Sequence, residues 1–377
     1  MIYLDYNATT PLEPRVKEEI IKTFEEFGNP SSSHKFGKKA KEIIESARVK
    51  VAKLIDAEPE EIIFTSGATE SNNLAIFGRT LCFNGGHIIT SSIEHPSVVN
   101  PCKQLARMGY DVTFLPVNSQ GMVDPDDVKK AIKKDTILVT IMHSNNETGV
   151  IQPVKEIAEM LAEKEIPFHT DCAQSIGKVR VSVRELPVTM LSIAGHKFYA
   201  PKGIGALFLR KDFFIKPLLF GASHEKGLRP GTENTPYIAG VGKAAEIIYE
   251  EFDEISKHLL EVTEPLLKGL LEISNAKLNG TGSPRLPNTL NISIKGILAD
   301  EFVERLSQKV AVSAGSACHA GVRKPSYVLL SMGLSEQEAL SSIRISTGKF
   351  TTFQEVINAL EIIKQELNKI YCASTNS

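Results

Sequence analysis

Thr136-Ile137-Leu138-Val139-Thr140-Ile141-Met142-His143 is followed by Val154-Lys155-Glu156-Ile157-Ala158-Glu159-Met160-Leu161-Ala162-Glu163-Lys164, and then by Pro167-Phe168-His169-Thr170. The first stretch is apolar and β-rich, the pattern of a buried strand. In the second, Ile157, Met160 and Leu161 recur at helical spacing. A short apolar strand follows. Strand, amphipathic helix and strand in this order imply a mainly parallel sheet covered by helices on both faces.

The same alternation extends outward from this unit. Strands are predicted at 62–65, 87–90, 111–115, 136–143, 167–170, 190–194 and 204–209, with helices at 69–77, 96–108, 125–133 and 154–164. The expected fold class is therefore α/β. Ligands of such sheets bind beyond the carboxyl ends of the strands, so chemistry is expected just after them. A long helix at 238–258 reads as a bridge out of this layer. Beyond it come 259–273, a strand at 289–294, the segment 310–313 and a closing helix at 353–370. The expected division is a large domain at 13–255 and a smaller α+β domain made of 1–12 with 256–377.

With 377 residues, 42% hydrophobic and 23% charged, the chain is long enough for such a pair of units and has an ordinary globular balance. Its net charge of −2 offers no global basic field for nucleic acid or an anionic membrane. The opening Met-Ile-Tyr-Leu-Asp-Tyr lacks the pattern of a signal peptide, and no apolar run approaches a membrane span. The cysteines, Cys82, Cys102, Cys172, Cys318 and Cys372, are few, odd in number and free of CxxC pairs. That argues against a disulfide framework or a zinc site, and for a reducing cytoplasm.

Four segments carry chemistry. Phe64-Thr65-Ser66-Gly67-Ala68-Thr69-Glu70 runs from a strand through small residues into a helix. Free N–H groups there suit a phosphate, though a tight turn capped by Thr69 reads equally well. Asp171, after the strand at 167–170, can pair with a protonated ring nitrogen, or it is a turn residue. Lys197, in Ala194-Gly195-His196-Lys197-Phe198, ends a buried strand. Burial favours the neutral amine that Schiff-base chemistry needs, and the alternative is a lysine snorkelling at the sheet rim. Ser313-Ala314-Gly315-Ser316-Ala317-Cys318-His319-Ala320-Gly321 is made of small residues, and reads as a mobile loop carrying an exposed thiol, either used or accidental.

Taken in order, these segments resemble the cysteine desulfurases and their close relatives the selenocysteine lyases, class V aminotransferase-like enzymes of the pyridoxal phosphate (PLP) fold-type I. The likeness spans essentially the whole chain. It includes Tyr3-Leu4-Asp5-Tyr6-Asn7-Ala8-Thr9-Thr10, Gly28-Asn29-Pro30-Ser31-Ser32, Ile93-Glu94-His95, Asn145-Asn146-Glu147-Thr148-Gly149, Arg229-Pro230-Gly231-Thr232, Leu286-Pro287-Asn288-Thr289 and Ser342-Ile343-Arg344-Ile345-Ser346. The resemblance implies a large domain with a mainly parallel seven-stranded sheet, and a smaller α+β domain bearing the catalytic cysteine. It implies that Lys197 holds PLP as a Schiff base, that Asp171 pairs with the pyridinium nitrogen and that Gln174 bonds the phenolic oxygen. By the same likeness His95 stacks on the ring, and Ala68, Thr69 and His196 hold the phosphate. Thr232 reaches the phosphate of a neighbouring subunit, which implies a homodimer. Asn146 and Arg344 grip the substrate carboxylate, and Cys318 takes the sulfur of L-cysteine for an acceptor or scaffold protein of iron–sulfur assembly or RNA thiolation. No metal is implied.

Two departures stand out. Where many of these enzymes have a serine, this chain has Ala194, a loss of one phosphate donor worth about 1 kcal/mol. A family Gly-Gly-x-Gln-Glu stretch appears as Gly221-Ala222-Ser223-His224-Glu225, where His224 is a further contact or simply a loop histidine. Ala194 and Cys318-His319 lean towards selenium, whereas the spacing from Cys318 to Pro325-Ser326-Tyr327 leans towards sulfur. A transaminase would have no need of Cys318. A silent scaffold subunit would have no need of Lys197, Asp171, Gln174, His95 and Arg344.

Overall fold

The structure is a computed structural model that describes residues 1–315, 317–319 and 322–375, with side chains for 1–315 and 323–372. The chain opens with β1 (Ile2–Tyr3), α1 (Pro14–Thr23) and α2 (Lys35–Leu54). The alternation then runs β2 (Ile62–Thr65), α3 (Ala68–Thr80), β3 (His87–Ser91), α4 (Pro96–Arg107), β4 (Asp111–Leu115), α5 (Pro125–Ala131), β5 (Thr136–Thr140), α6 (Val154–Glu163), β6 (Phe168–Asp171), β7 (Met190–Ala194) and β8 (Gly205–Leu209). These seven strands, β2 to β8, form one sheet in the order β2-β8-β7-β6-β5-β3-β4. All neighbours are parallel except those of β8, which runs against both β2 and β7. The carboxyl ends of β2, β3, β5, β6 and β7 consequently lie on one edge.

The helices α1 and α2 were not expected from the sequence. In α2 the buried stripe includes the small residues Gly37, Ala40, Ala47 and Ala52 among several lysines, so its apolar period is faint. That smallness serves packing: a Cβ on Gly242 of the facing helix would come within 2.6 Å of Ala47 Cα.

The single bridging helix expected at 238–258 is instead two. α7 (Thr235–Glu250) and α8 (Phe252–Leu271) meet at Glu251, where φ is −101° and ψ is 13°. Arg15 grips both carboxylate oxygens of Glu251, at 2.5 and 3.1 Å, and the Arg180 guanidinium covers the Phe252 ring. These contacts come from distant parts of the chain, and the apolar period simply continues through the bend. The stretch 259–273, expected separately, is the second half of α8. Ile255 and Leu259 of this helix join the core around the large sheet, whereas Val262, Leu266 and Leu270 join a second core with Leu4, Phe302 and Ile363.

After α8 come β9 (Ala276–Leu278), β10 (Thr289–Ile294), α9 (Ala299–Leu306), β11 (Val310–Ala311), β12 (Ser313–Ala314), β13 (Ala317–His319), β14 (Val322–Lys324), α10 (Tyr327–Ser331), α11 (Glu336–Leu340), β15 (Ser342–Ser346) and α12 (Phe353–Thr375). A second, antiparallel sheet has the order β12-β15-β10-β9. The segment 310–313 is not one strand. β11 pairs in parallel with β1, and β12 turns to β15. The stretch around Cys318, expected as a loop, contains the antiparallel pair β13–β14, with Cys318 opposite Arg323. Arg323 binds Asp300 and Glu301 of α9 at 2.6 and 2.5 Å. Among the described residues no helix is long and apolar enough to cross a membrane.

Candidate active site

A cleft of about 530 Å³ opens where the strands of the large sheet end. It gathers Ala68, Thr69, His95, Asn146, Asp171, Gln174, His196, Lys197 and Arg344, residues scattered from position 68 to 344. Each is delivered by the element before it. Lys197 closes the 3-10 turn Gly195–Lys197 directly after β7. Asp171 is the last residue of β6, and His95 caps the N-terminus of α4. Ala68 and Thr69 form the first turn of α3, whose N-cap is Gly67 at φ 151° with no side-chain cap. Thr69 is therefore not the cap that the turn reading proposed, and the N–H groups of this first turn are left open to the cleft.

Lys197 Nζ donates to the carbonyls of Asn7 (2.6 Å) and Ala8 (2.9 Å). Among the described residues no carboxylate is bonded to it. Burial and the nearby Arg344 bring its pKa down to about 8, against the opposing pull of Asp171 and Asp5. The amine thus has an appreciable neutral fraction near pH 8, which is what a nucleophilic lysine requires.

Asp171 is held by Asn72, whose Nδ2 lies 2.7 Å from Oδ2, and by the Ala173 N–H at 2.9 Å from Oδ1. The same Asn72 amide reaches Ser97 Oγ at 2.8 Å, and Ser97 Oγ lies 2.7 Å from His95 Nδ1. The Ser97 N–H also donates to that nitrogen at 3.2 Å. Nδ1 is therefore an acceptor, and the neutral His95 ring carries its proton on Nε2. Burial keeps His95 below its usual pKa, helped by Lys197 and opposed by Asp171. His196 is pushed down to about 4 by burial and by Lys197, Lys202 and Lys178.

Arg344 bonds Asp5 Oδ1 at 2.8 Å, Ser313 Oγ at 3.1 Å and the Asn146 carbonyl at 3.2 Å. Its Nε is buried without a hydrogen-bond partner among the described residues. Gln174 donates from Nε2 to the Asn7 carbonyl at 3.0 Å and accepts at Oε1 from Lys178 at 2.7 Å.

Thr232, expected to serve a neighbouring subunit, and His224 are not part of this group. Thr232 lies in a separate depression of about 630 Å³, with Ser31, Arg48, His224 and Glu233. His224 sits there too, its Nε2 3.2 Å from Ser31 Oγ, and not beside Lys197. Cys318 belongs to β13, and its side chain lies outside the described residues.

The pattern of class-V aminotransferases matches residues 2–358, nearly the whole chain. The chain belongs to the aminotransferase class-V family. Among this family's curated members it is 45% identical to the cysteine desulfurase IscS of Dictyoglomus turgidum, over 98% of this chain and 95% of that protein. It is 43% identical to the IscS of Methanosarcina thermophila, over 98% and 92%. A solved NifS-like protein superposes with a TM-score of 0.92 at 38% identity, covering 97% of this chain and 99% of the other. SspA, solved in complex with cysteine, superposes with 0.84 at 39% identity, over 93% and 100%. The class-V fold is thus the one present here, an α/β large sheet with a smaller antiparallel one.

Asn7, Asn72, Ser97 and Lys178 contact the expected site residues and were not singled out from the sequence. Asn7 stood only within the opening motif. Nothing in its neighbours announces that it will be 1% exposed at the centre of the molecule.

Proposed function

We propose that this class-V enzyme is a PLP-dependent cysteine desulfurase that converts L-cysteine to L-alanine and leaves the sulfur as a persulfide on Cys318. The observation that carries the reading is Lys197, a part-buried amine at a strand end that bonds only carbonyls among the described residues and is set in one cleft with Asp171, His95 and Arg344. The residues fit the cofactor. Lys197 offers an amine of lowered pKa, Asp171 a buried carboxylate, and the open first turn of α3 an anion seat beside Ala68 and Thr69. His196 lines the same cleft.

When bound, PLP supplies a conjugated electron sink for the electron pair released at the substrate α-carbon. Asp171, fixed by Asn72 and the Ala173 N–H, would pair with the ring nitrogen. His95 presents Nε2–H and a flat ring. Gln174 offers an amide N–H to the phenolic oxygen. Arg344, whose Nε has no partner among the described residues, and Asn146 beside it would bind the carboxylate of the amino acid through a charge-assisted contact. Lys197 moves the proton at the α-carbon. The Cys318 thiolate attacks the substrate sulfur, an S–S bond forms, the carbon–sulfur bond breaks, and the β-carbon takes up a proton to leave alanine.

The chain divides in this reading at 13–255 and 1–12 with 256–377, and works as a homodimer in which Thr232 completes the partner's phosphate site. The persulfide passes to an acceptor or scaffold protein, of iron–sulfur assembly or RNA thiolation, in the cytoplasm. The names of the relatives favour sulfur over selenium as the element released.

The test is spectroscopic and chemical. Purified protein should be yellow, and borohydride should fix the cofactor to Lys197 alone. After L-cysteine, mass spectrometry should find one extra sulfur on Cys318 and none on Cys82, Cys102, Cys172 or Cys372. Cys318→Ala should keep the visible band and stop alanine formation. Full cysteine activity in that variant would sink the nucleophile assignment, and a higher rate on selenocysteine than on cysteine in the wild type would favour a lyase.

A further inference from the structure

Lys178 is a buried lysine that the proposed chemistry leaves unused. It is 5% exposed, and among the described residues its Nζ bonds no carboxylate. Its partners are Asn7 Oδ1 at 3.0 Å and Gln174 Oε1 at 2.7 Å. An ammonium or amine in such a place costs free energy unless its bonds serve something.

Those bonds settle the orientation of two amides. Lys178 has N–H groups to give in either charge state, and its bond to Gln174 is to the amide oxygen. A backbone carbonyl only accepts, so the Gln174 atom beside the Asn7 carbonyl is its nitrogen. Asn7 is fixed in the same way. Its Oδ1 accepts from Lys178 and from Asn288 Nδ2 at 3.2 Å, and its Nδ2 donates to the Asn146 carbonyl at 3.2 Å and to Thr289 Oγ1 at 2.9 Å. With Oε1 and one N–H of Gln174 committed, the group left to face the cleft is the second N–H. Rotating the amide by half a turn would set two acceptors against each other at Asn7 and forfeit the Lys178 N–H bond to the Gln174 oxygen.

We propose that Lys178 is a positioning residue that locks the Gln174 amide with its N–H towards the cleft, so that it is a donor to an anionic oxygen on a ring bound there. The inference rests on the PLP reading above and adds to it a residue outside the contact set. A donor at the phenolic oxygen withdraws electron density and lets the nearby Lys197 nitrogen lose its proton at lower pH. A flipped amide would present a lone pair and have the opposite effect.

The experiment is a pH titration of the visible band in holoenzyme, for wild type, Lys178→Met, Gln174→Ala and the double variant. Lys178→Met should move the midpoint upward by about 0.7 pH unit, the equivalent of one neutral hydrogen bond. Gln174→Ala should move it in the same direction, and Lys178→Met should add nothing in the Gln174→Ala background. A shift from Lys178→Met that persists undiminished there would mean that the lysine acts by charge or through Asn7, and would overturn the proposal. So would an unmoved midpoint in a normally yellow Lys178→Met protein. Lys178→Leu removes the same donors with a different shape, and stands in should the methionine variant fail to fold. A wild type with no borohydride-fixed band at Lys197 would overturn the cofactor reading and this inference together, an outcome distinct from the other two.

Discussion

At the scale of single residues, the site depends on where burial meets charge. An amine with a pKa of about 8 is roughly one tenth neutral at pH 7, against roughly one part in three thousand for an ordinary lysine. Cofactor capture by apo-protein should therefore accelerate through a midpoint near pH 8 and level off above it, as followed by growth of the visible band. A midpoint near 10 would contradict the environment assigned to Lys197. Glu94 gives a second pH dependence. It is fully buried, and burial raises its pKa to about 8 despite hydrogen bonds from Ser91 Oγ and the Met142 N–H. The folded chain then holds this proton more tightly than the unfolded chain does. The contribution to stability is complete below about 4.5 and is lost as pH rises through about 8. Urea midpoints of wild type should carry that downward slope, and Glu94→Gln should flatten it.

At the scale of elements, the anion seat depends on a close backbone approach. A Cβ on Gly205 of β8 would lie 2.5 Å from the Ile193 carbonyl oxygen and 2.7 Å from Gly67 Cα. Both obstacles are backbone, so neither can swing aside. Gly67 itself, at φ 151°, adopts a conformation that side chains rarely tolerate. Gly205→Ala should push the start of α3 away from the sheet, costing about 1–3 kcal/mol of stability. A thermal melt should come down, and equilibrium dialysis should find weaker cofactor retention. Wild-type retention in a folded Gly205→Ala protein would mean that the α3 N-terminus does not bind the phosphate. The strand–helix alternation that builds this edge was legible because each element buries a long, regular apolar face. The break at Glu251 was not, since Arg15 imposes it from the far end of the sequence.

At the scale of the whole molecule, the opening residues stitch the two cores together. β1 pairs with β11, Asp5 bridges to Ser346 and binds Arg344, and Asn7 then supplies the carbonyl that holds Lys197. Phe24, Phe27 and Phe36 stay exposed at 61%, 78% and 54% in the single chain. That is costly surface for a monomer, and it agrees with the proposed two-fold dimer. Sedimentation should give a dimer. Mixed dimers with one Thr232→Ala subunit should lose cofactor affinity at the opposite site only. A fully active monomer would refute both the assembly and the role of Thr232.

The sequence by itself determined the seven strands of the large sheet and the class of chemistry. Periodicity records burial, and the motifs around Lys197, Asp171 and His95 each stand immediately after a strand. The sequence's resemblance to the cysteine desulfurases also pointed to most of the residues that meet in the cleft. Only the tertiary structure decided that Asn7 and Lys178 belong at the centre, that Asn72 and Ser97 link Asp171 to His95, and that Thr232 and His224 lie apart. Those facts arise from side chains of distant segments that satisfy one another's hydrogen bonds once buried. Such partners share no spacing along the chain, so no local pattern announces them.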